Sequence, residues 1–311
     1  MILKDKRQGD KRIIMKNKIG PGGLLVAAAG CFWGTTGIFS HLFGSYGLTA
    51  LMMSFLRALA AVLLITPLML KKGRSSFCLS KRGWLIAIVQ GITTQTIFSF
   101  TYFSAITHLG MSSAVILLYT SPIYVTILSR ILFGERVTGK KVIALIVTFI
   151  GCALTATGGV FDLAGLSTYG LLMGLISGFM YGMLSITGRY IGQEDDPVSI
   201  TYYTIVIGLI GLTILARPWN CTGLVIDLKF VIIVLTCGLF SSVLPYMLFS
   251  FGISKLKEAS MAPILASVEN IAATLFGYFI FHETVGIYRI AGIALVLTSI
   301  VIINMSSKRN T

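Results

Sequence analysis

Charge is scarce in this chain of 311 residues: Asp, Glu, Lys and Arg together fill 12% of it, only 11 positions are acidic, and there are 3 histidines. A globular protein in water carries about 25% charged residues, so a soluble fold is excluded. Long polar stretches are missing too. Apart from Met1 to Gly20, the segments between apolar blocks are short and leave no room for a soluble domain. No nucleophile has a base nearby and no carboxylates are paired at helical spacing, so neither an enzyme nor a resident cofactor is expected. A Gly-rich phosphate loop ending in Lys and Ser/Thr is also lacking, which removes the usual sign of ATP-driven work. His41, His108 and His282 all fall near block ends and read as interfacial polar residues rather than metal ligands. The five cysteines form no framework; Cys31, Cys152 and Cys237 sit in apolar blocks, Cys78 and Cys221 in loops, each as a small apolar filler.

What is present is hydrophobic: 55% of the residues, with a mean hydropathy of +0.88. A hydrocarbon core of roughly 30 Å is crossed by about 20 helical residues. Ten blocks of that size occur, near 22–43, 48–70, 84–106, 112–133, 140–159, 168–190, 199–217, 230–253, 259–281 and 287–306. The expected fold is an all-α integral membrane protein of ten transmembrane helices. The basic run from Lys4 to Lys18 has no cleavage pattern after the first block, so the first helix is expected to be retained.

The formal charge of +14 is an orientation signal, and no nucleic acid partner is expected. Lys and Arg gather in alternate loops. Twenty lie on the side of the N-terminus, among them Lys71, Lys72, Arg74, Lys81, Arg82, Arg136, Lys140, Lys141, Arg189, Lys255 and Lys257; only Arg217, Lys229 and Arg289 lie on the other. This bias places both termini in the cytoplasm of a multi-pass plasma-membrane protein.

The chain also matches itself at one offset, 148 residues, found from Glu135 and Glu283. Gly30, Gly34 and Ile38 then fall on Gly178, Gly182 and Ile186, with Trp33 opposite Tyr181. Further on, Phe103, Ser112, Ala114, Ile116, Leu117, Ile123, Thr126 and Val137 fall on Phe251, Ser260, Ala262, Ile264, Leu265, Ile271, Thr274 and Val285. Each half holds five helices, an odd number, so the second enters the membrane the opposite way round. The organisation expected is a basic segment 1–21, a five-helix repeat 22–159, an inverted five-helix repeat 160–306 and a tail 307–311. Two antiparallel copies of one unit can exchange conformations and open alternately to each side, the architecture of many secondary transporters.

These motifs resemble a known family. Gly30-Cys31-Phe32-Trp33-Gly34, Phe55-Leu56-Arg57-Ala58, and the stretch from Ser112-Ser113-Ala114 through Ser121-Pro122 to Phe133-Gly134-Glu135-Arg136 look like the EamA type of the drug/metabolite transporter superfamily. The second half repeats them from Ala259-Ser260-Met261-Ala262 through Glu269-Asn270 to Phe281-His282-Glu283-Thr284; such families often have Glu-Pro, and here Asn270 replaces the proline. The resemblance covers residues 22–306 and implies a carrier, often an exporter of amino acids, metabolites or drugs, with a central cavity between its halves.

Depth along each helix, at about 1.5 Å per residue, selects candidate cavity residues. Arg57, Gln95, Pro122 and Glu269 fall near the bilayer middle, with Trp33, Tyr119, Tyr181 and Tyr246 at the same level and Asn270 beside Glu269 but turned about 100° away. A charge at that depth costs at least about 2.5–3.5 kcal/mol and therefore faces protein or a wet cavity. Arg57 reads equally as a tie between helices and as a substrate contact. Glu269 reads as a proton carrier, an ammonium contact or a standing partner of Arg57. Pro122, Pro245 and Pro263 interrupt backbone bonding where transporters bind solutes, and the aromatics offer flat walls. Glu135 and Glu283 read as helix-end caps, and Gly170, Gly174, Gly178 and Gly182 as a packing stripe. The function expected is secondary transport of a small organic solute, as efflux, with protons as a candidate coupling ion and lipid as the surroundings. A carrier of phosphorylated or lipid-linked sugars is the alternative, with a membrane-embedded enzyme or sensor behind it.

Overall fold

The computed structural model describes residues 20–160, 167–191, 195–221, 224 and 226–306. Residues 1–19 and 307–311, the greater part of the expected N-terminal segment and the whole tail, lie outside them. Among the described residues ten helices are long and apolar enough to cross a membrane: α1 Pro21–Ser45, α2 Ala50–Lys72, α3 Lys81–Leu109, α4 Met111–Phe133, α5 Gly139–Thr157, α6 Thr168–Arg189, α7 Pro197–Asn220, α8 Leu228–Ile253, α9 Ala259–Phe281 and α10 Ile287–Asn304. Among the described residues there is no strand.

Helix starts follow local chemistry. Thr49, Ser80, Thr138, Ser167, Asp196 and Asp227 each accept a backbone amide of the first turn that follows, satisfying a donor the helix itself cannot. Gly134 closes α4 in the left-handed region at φ 67°, and His282, its counterpart 148 residues on, closes α9 at φ 54°. A side chain at that φ is strained, so the repeat fixes the backbone turn even where the glycine is gone.

Other irregularities recur at the same offset. In α3 the bonding widens to a π-type turn from Gly91 to Ile97, and in α8 from Leu239 to Val243. The helix of α4 stops at Leu118 and restarts at Ser121, while that of α9 stops at Ala266 and restarts at Val268. Both breaks lie near the ninth residue of spans of 23 residues. The chain is two inverted five-helix repeats. One feature is unpaired: α1 is interrupted at Gly34–Thr35, whereas α6 runs unbroken through the matching position.

Small residues bring the halves together. A Cβ on Gly30 would lie 2.5 Å from the Ala266 carbonyl oxygen, and one on Gly178 would lie 2.7 Å from the Leu117 carbonyl oxygen, so α1 rests on the break of α9 as α6 rests on the break of α4. At Gly170 and Gly174 the α6 stripe meets Leu109 and Leu117, which is close packing. Lipid is left the outer faces, where Ile143, Ile146 and Ile150 of α5 and Phe279 and Ile280 of α9 are exposed.

Candidate functional site

The two mid-span breaks meet in the centre of the bundle. Trp33 of α1 lies there, buried, with Tyr181 at 6.3 Å, Tyr246 at 5.5 Å and Phe249 at 5.5 Å between ring centroids. Tyr119, at the α4 break, belongs to the same buried cluster. The Tyr181 hydroxyl donates to Glu269 Oε2 at 3.2 Å. Glu269 sits in the first turn after the α9 break, with Tyr102, Tyr119 and Cys152 within electrostatic range. A gap of only about 10 Å³, the space of one water, lies among Trp33, Tyr181, Leu184, Phe249 and Pro263.

Arg57 approaches from α2. It is buried, its Nη1 donates to the Ser241 carbonyl at a long 3.5 Å, and its Nε has no partner. Ser241 lies in the π-type turn of α8, which widens the bonding pattern and turns that carbonyl toward the guanidinium. Arg57 lies near Tyr246, and Thr94 and Gln95 of α3 approach the Tyr246 hydroxyl. The Gln95 side-chain nitrogen is buried without a partner as well. Arg57 and Glu269 therefore both lie near Tyr246, yet they form no salt bridge. Among the described residues the ion pairs are Lys72–Asp196, Lys141 with Glu135 and Glu258, and Arg289–Glu283.

Of the residues singled out from sequence, Trp33, Tyr119, Tyr181, Tyr246 and Glu269 are brought together, and Arg57 and Gln95 border them. Pro122 is different: it does not bend a continuous helix but occupies the second position of the restarted one, where its missing amide costs nothing. Asn270 turns away from Glu269 and donates to Cys152 Sγ at 3.2 Å, a contact between α9 and α5. Ser241, Thr94 and Tyr102 were not singled out, since small hydroxyls and one more tyrosine carry no distinctive signal in an apolar chain.

A larger cavity of about 600 Å³ opens at the end of the bundle away from the basic loops. It is lined by Gly34, Ser40 and His41 of α1, Met111 at the start of α4, and Ala273, Phe281 and Glu283 of the α9 end. Its inner wall at Gly34 and Ala273 is one residue from Trp33 and one helical turn from Glu269. Among the described residues no group of His, Cys, Asp and Glu is placed to hold a metal ion.

Residues 20–157 and 168–305 each match the EamA-like transporter family. The chain belongs to that family. An uncharacterized transporter of Archaeoglobus fulgidus is 29% identical over 90% of this chain and 95% of its own length. A riboflavin transporter of Brucella anthropi is 22% identical over 81% of this chain and 86% of its own. The pseudopaline exporter CntI of Pseudomonas aeruginosa is 27% identical over 53% and 55%. A crystal structure of a protein 16% identical superposes with a TM-score of 0.75 over 93% of this chain and 98% of that one, which shows a shared fold. This EamA-like protein is a membrane transporter and not an enzyme.

Proposed function

We propose that this protein is a secondary transporter that moves a small amphipathic organic solute across the plasma membrane by alternating access, in the direction of efflux, with both termini cytoplasmic. The observation that carries this reading is the half-buried carboxylate of Glu269, held by Tyr181 beside the ring wall of Trp33 and Tyr246 at the paired helix breaks. Flat apolar walls with a few convergent polar groups suit an amphipathic solute. Across the site, Arg57 and Gln95 present donors without partners, which an acceptor group on the solute would satisfy. Glu269 either carries a coupling proton or receives a cationic group. Relatives bearing the names of an exporter and a riboflavin transporter support organic cargo and leave its class open.

The sugar-phosphate reading asks for several cations around the solute. Among the described residues Arg57 is the one cation placed at mid-depth, so that reading stands second. A thermal-shift screen of the purified protein against amino acids, amines, flavins, sugars and sugar phosphates tests the assignment, because a ligand of the folded state raises its apparent stability. Hits must then be exchanged by the protein in liposomes. A hit confined to sugar phosphates, or binding without any exchange, overturns the proposal.

A further inference from the structure

The repeats match in sequence at their ends but not in contacts. At the basic end Glu135, just beyond α4, accepts the Ala259 amide at 2.6 Å, the Ser260 amide at 3.4 Å and the Ser260 hydroxyl, so its carboxylate caps the start of α9. Lys141 completes the seal, with Nζ 2.7 Å from Ser260 Oγ and 3.0 Å from Glu258, at 2% exposure. Arg189 of α6 adds a bond to the Leu256 carbonyl at 2.7 Å.

The offset of 148 carries the centre of this set to the other end of the bundle, though Glu258 becomes Gly110 and Arg189 becomes His41. Glu135 and Lys141 become Glu283 and Arg289, and Ala259 and Ser260 become Met111 and Ser112. The residue types are kept: an acid, a base, and a serine at the start of the facing helix. The contact is not made. Glu283 is 50% exposed and bonded to Arg289 at 2.9 Å, Met111 is 60% exposed, and both line the cavity of about 600 Å³. Among the described residues no hydrogen bond joins Glu283 to Met111 or Ser112.

We propose that Glu283 and Arg289 form the second gate of the transporter: in the other state of the cycle the Glu283 carboxylate caps the amides of Met111 and Ser112 and closes the cavity, while Glu135 releases Ala259 and Ser260. The proposal rests on the alternating-access reading given above. A helix start leaves amides unpaired and carries positive partial charge, so a carboxylate stabilises it at either end. Exchanging one cap for its chemical twin keeps the two states close in free energy, which a carrier requires.

Distance measurements between spin labels test this on the full-length protein in nanodiscs. In a background with its five cysteines replaced, one label pair is Met111→Cys with Thr284→Cys and the other is Arg136→Cys with Lys257→Cys, all exposed positions outside the capping side chains. Glu135→Gln should lengthen the basic-end pair and shorten the far pair, raising the far-closed fraction about tenfold, the value of one charge-assisted bond. Glu283→Gln should remove the far-closed population, and Glu283→Asp should restore part of it. Should Glu135→Gln fail to fold, Ser260→Ala removes one of the same bonds. A far pair that never shortens, or a Glu283→Gln protein with unchanged distances, overturns the gate. Distances that respond as expected in a protein that exchanges no solute in liposomes leave the gate standing and remove the transport reading instead.

Discussion

Trp33 and Tyr181 occupy equivalent positions in the two repeats, 148 residues apart, and meet edge to face with ring centroids at 6.3 Å. Counterparts touch only near the axis that relates the repeats, so this pair marks where the halves converge. Tyr181 alone carries a hydroxyl, and it is bonded to Glu269. The site is therefore asymmetric at its centre although most of the scaffold repeats.

That asymmetry gives a first prediction. Tyr181→Phe keeps the ring contact and removes the bond to Glu269, so its melting temperature should stay within a few degrees of wild type, one net hydrogen bond being worth about 1 kcal/mol. Solute exchange in liposomes should fall several-fold. Trp33→Ala should instead lower both stability and apparent affinity, since it empties the ring cluster. Equal, unimpaired exchange by both variants would take the ring wall out of the solute path.

The glycine contacts allow a sharper comparison. Gly30→Ala and Gly178→Ala each drive a methyl against a carbonyl oxygen, at 2.5 Å and 2.7 Å, and should each cost about 1–3 kcal/mol or more. Gly37→Ala meets nothing within 4 Å and removes a flexible residue from the helix after the α1 break, so it should be neutral or slightly stabilising. Thermal melting in one detergent ranks the three. A destabilisation confined to Gly37→Ala would contradict the packing described here.

Much of this was legible in the sequence, and for physical reasons. Lipid imposes a length and an apolar composition on each span, so ten blocks could be counted and nearly matched to the helices. Glu135 and Glu283 gave the offset, and Gly30 with Gly178 kept its register. Mid-helix position placed Glu269 and Arg57, because a charge at that depth is costly and therefore informative. The breaks were harder to read. Pro122 suggested a bend, but its counterpart Asn270 has an amide, and α9 is broken one residue before Val268 all the same. Lys141 read as one more loop cation of the basic side, whereas it is buried against Glu135 and Glu258. Charge counting sees the sign of a residue and not the carboxylate that a distant helix brings to it.

Lys141 supplies a third prediction. Lys141→Met leaves Glu135 buried beside Ser260 without its cation and should destabilise by about 3–5 kcal/mol, seen as a lowered melting temperature. Adding Glu135→Gln should recover part of the loss, since the uncompensated charge is then gone. A double variant less stable than the sum of the two single changes would contradict a paired role.

Orientation can be read with the natural cysteines. Cys78 is exposed in the basic loop between α2 and α3, and Cys221 is partly exposed beyond α7 at the opposite end. A thiol reagent that cannot cross membranes should label Cys221 in intact cells and Cys78 only after permeabilisation. Introduced cysteines at 71–82 and 255–257 should follow Cys78, and those at 44–47 should follow Cys221. The reverse pattern would turn the protein over in the membrane, and both pairs on one side would end the inverted-repeat topology.

Glu269 carries the last prediction. It is the acidic residue placed at mid-depth, it follows the α9 break, and its carboxylate is held by Tyr181 with Arg57 across the site but unpaired to it. The missing salt bridge matters, because a standing pair would fix the charge and leave nothing to exchange. A carboxylate that binds and releases a proton as access alternates couples solute movement to the proton gradient, whereas one that binds a cationic group of the solute couples nothing by itself. Glu269→Gln separates the two roles. Gradient-driven accumulation in liposomes should be lost in either case, by at least about tenfold, if one charge-assisted contact is removed. Passive exchange of solute should survive if Glu269 carries the proton and should be lost if it holds the solute. Melting temperature serves as the control for folding. A folded Glu269→Gln protein that accumulates solute normally under a proton gradient would exclude both roles, and the coupling would then have to lie elsewhere in the bundle.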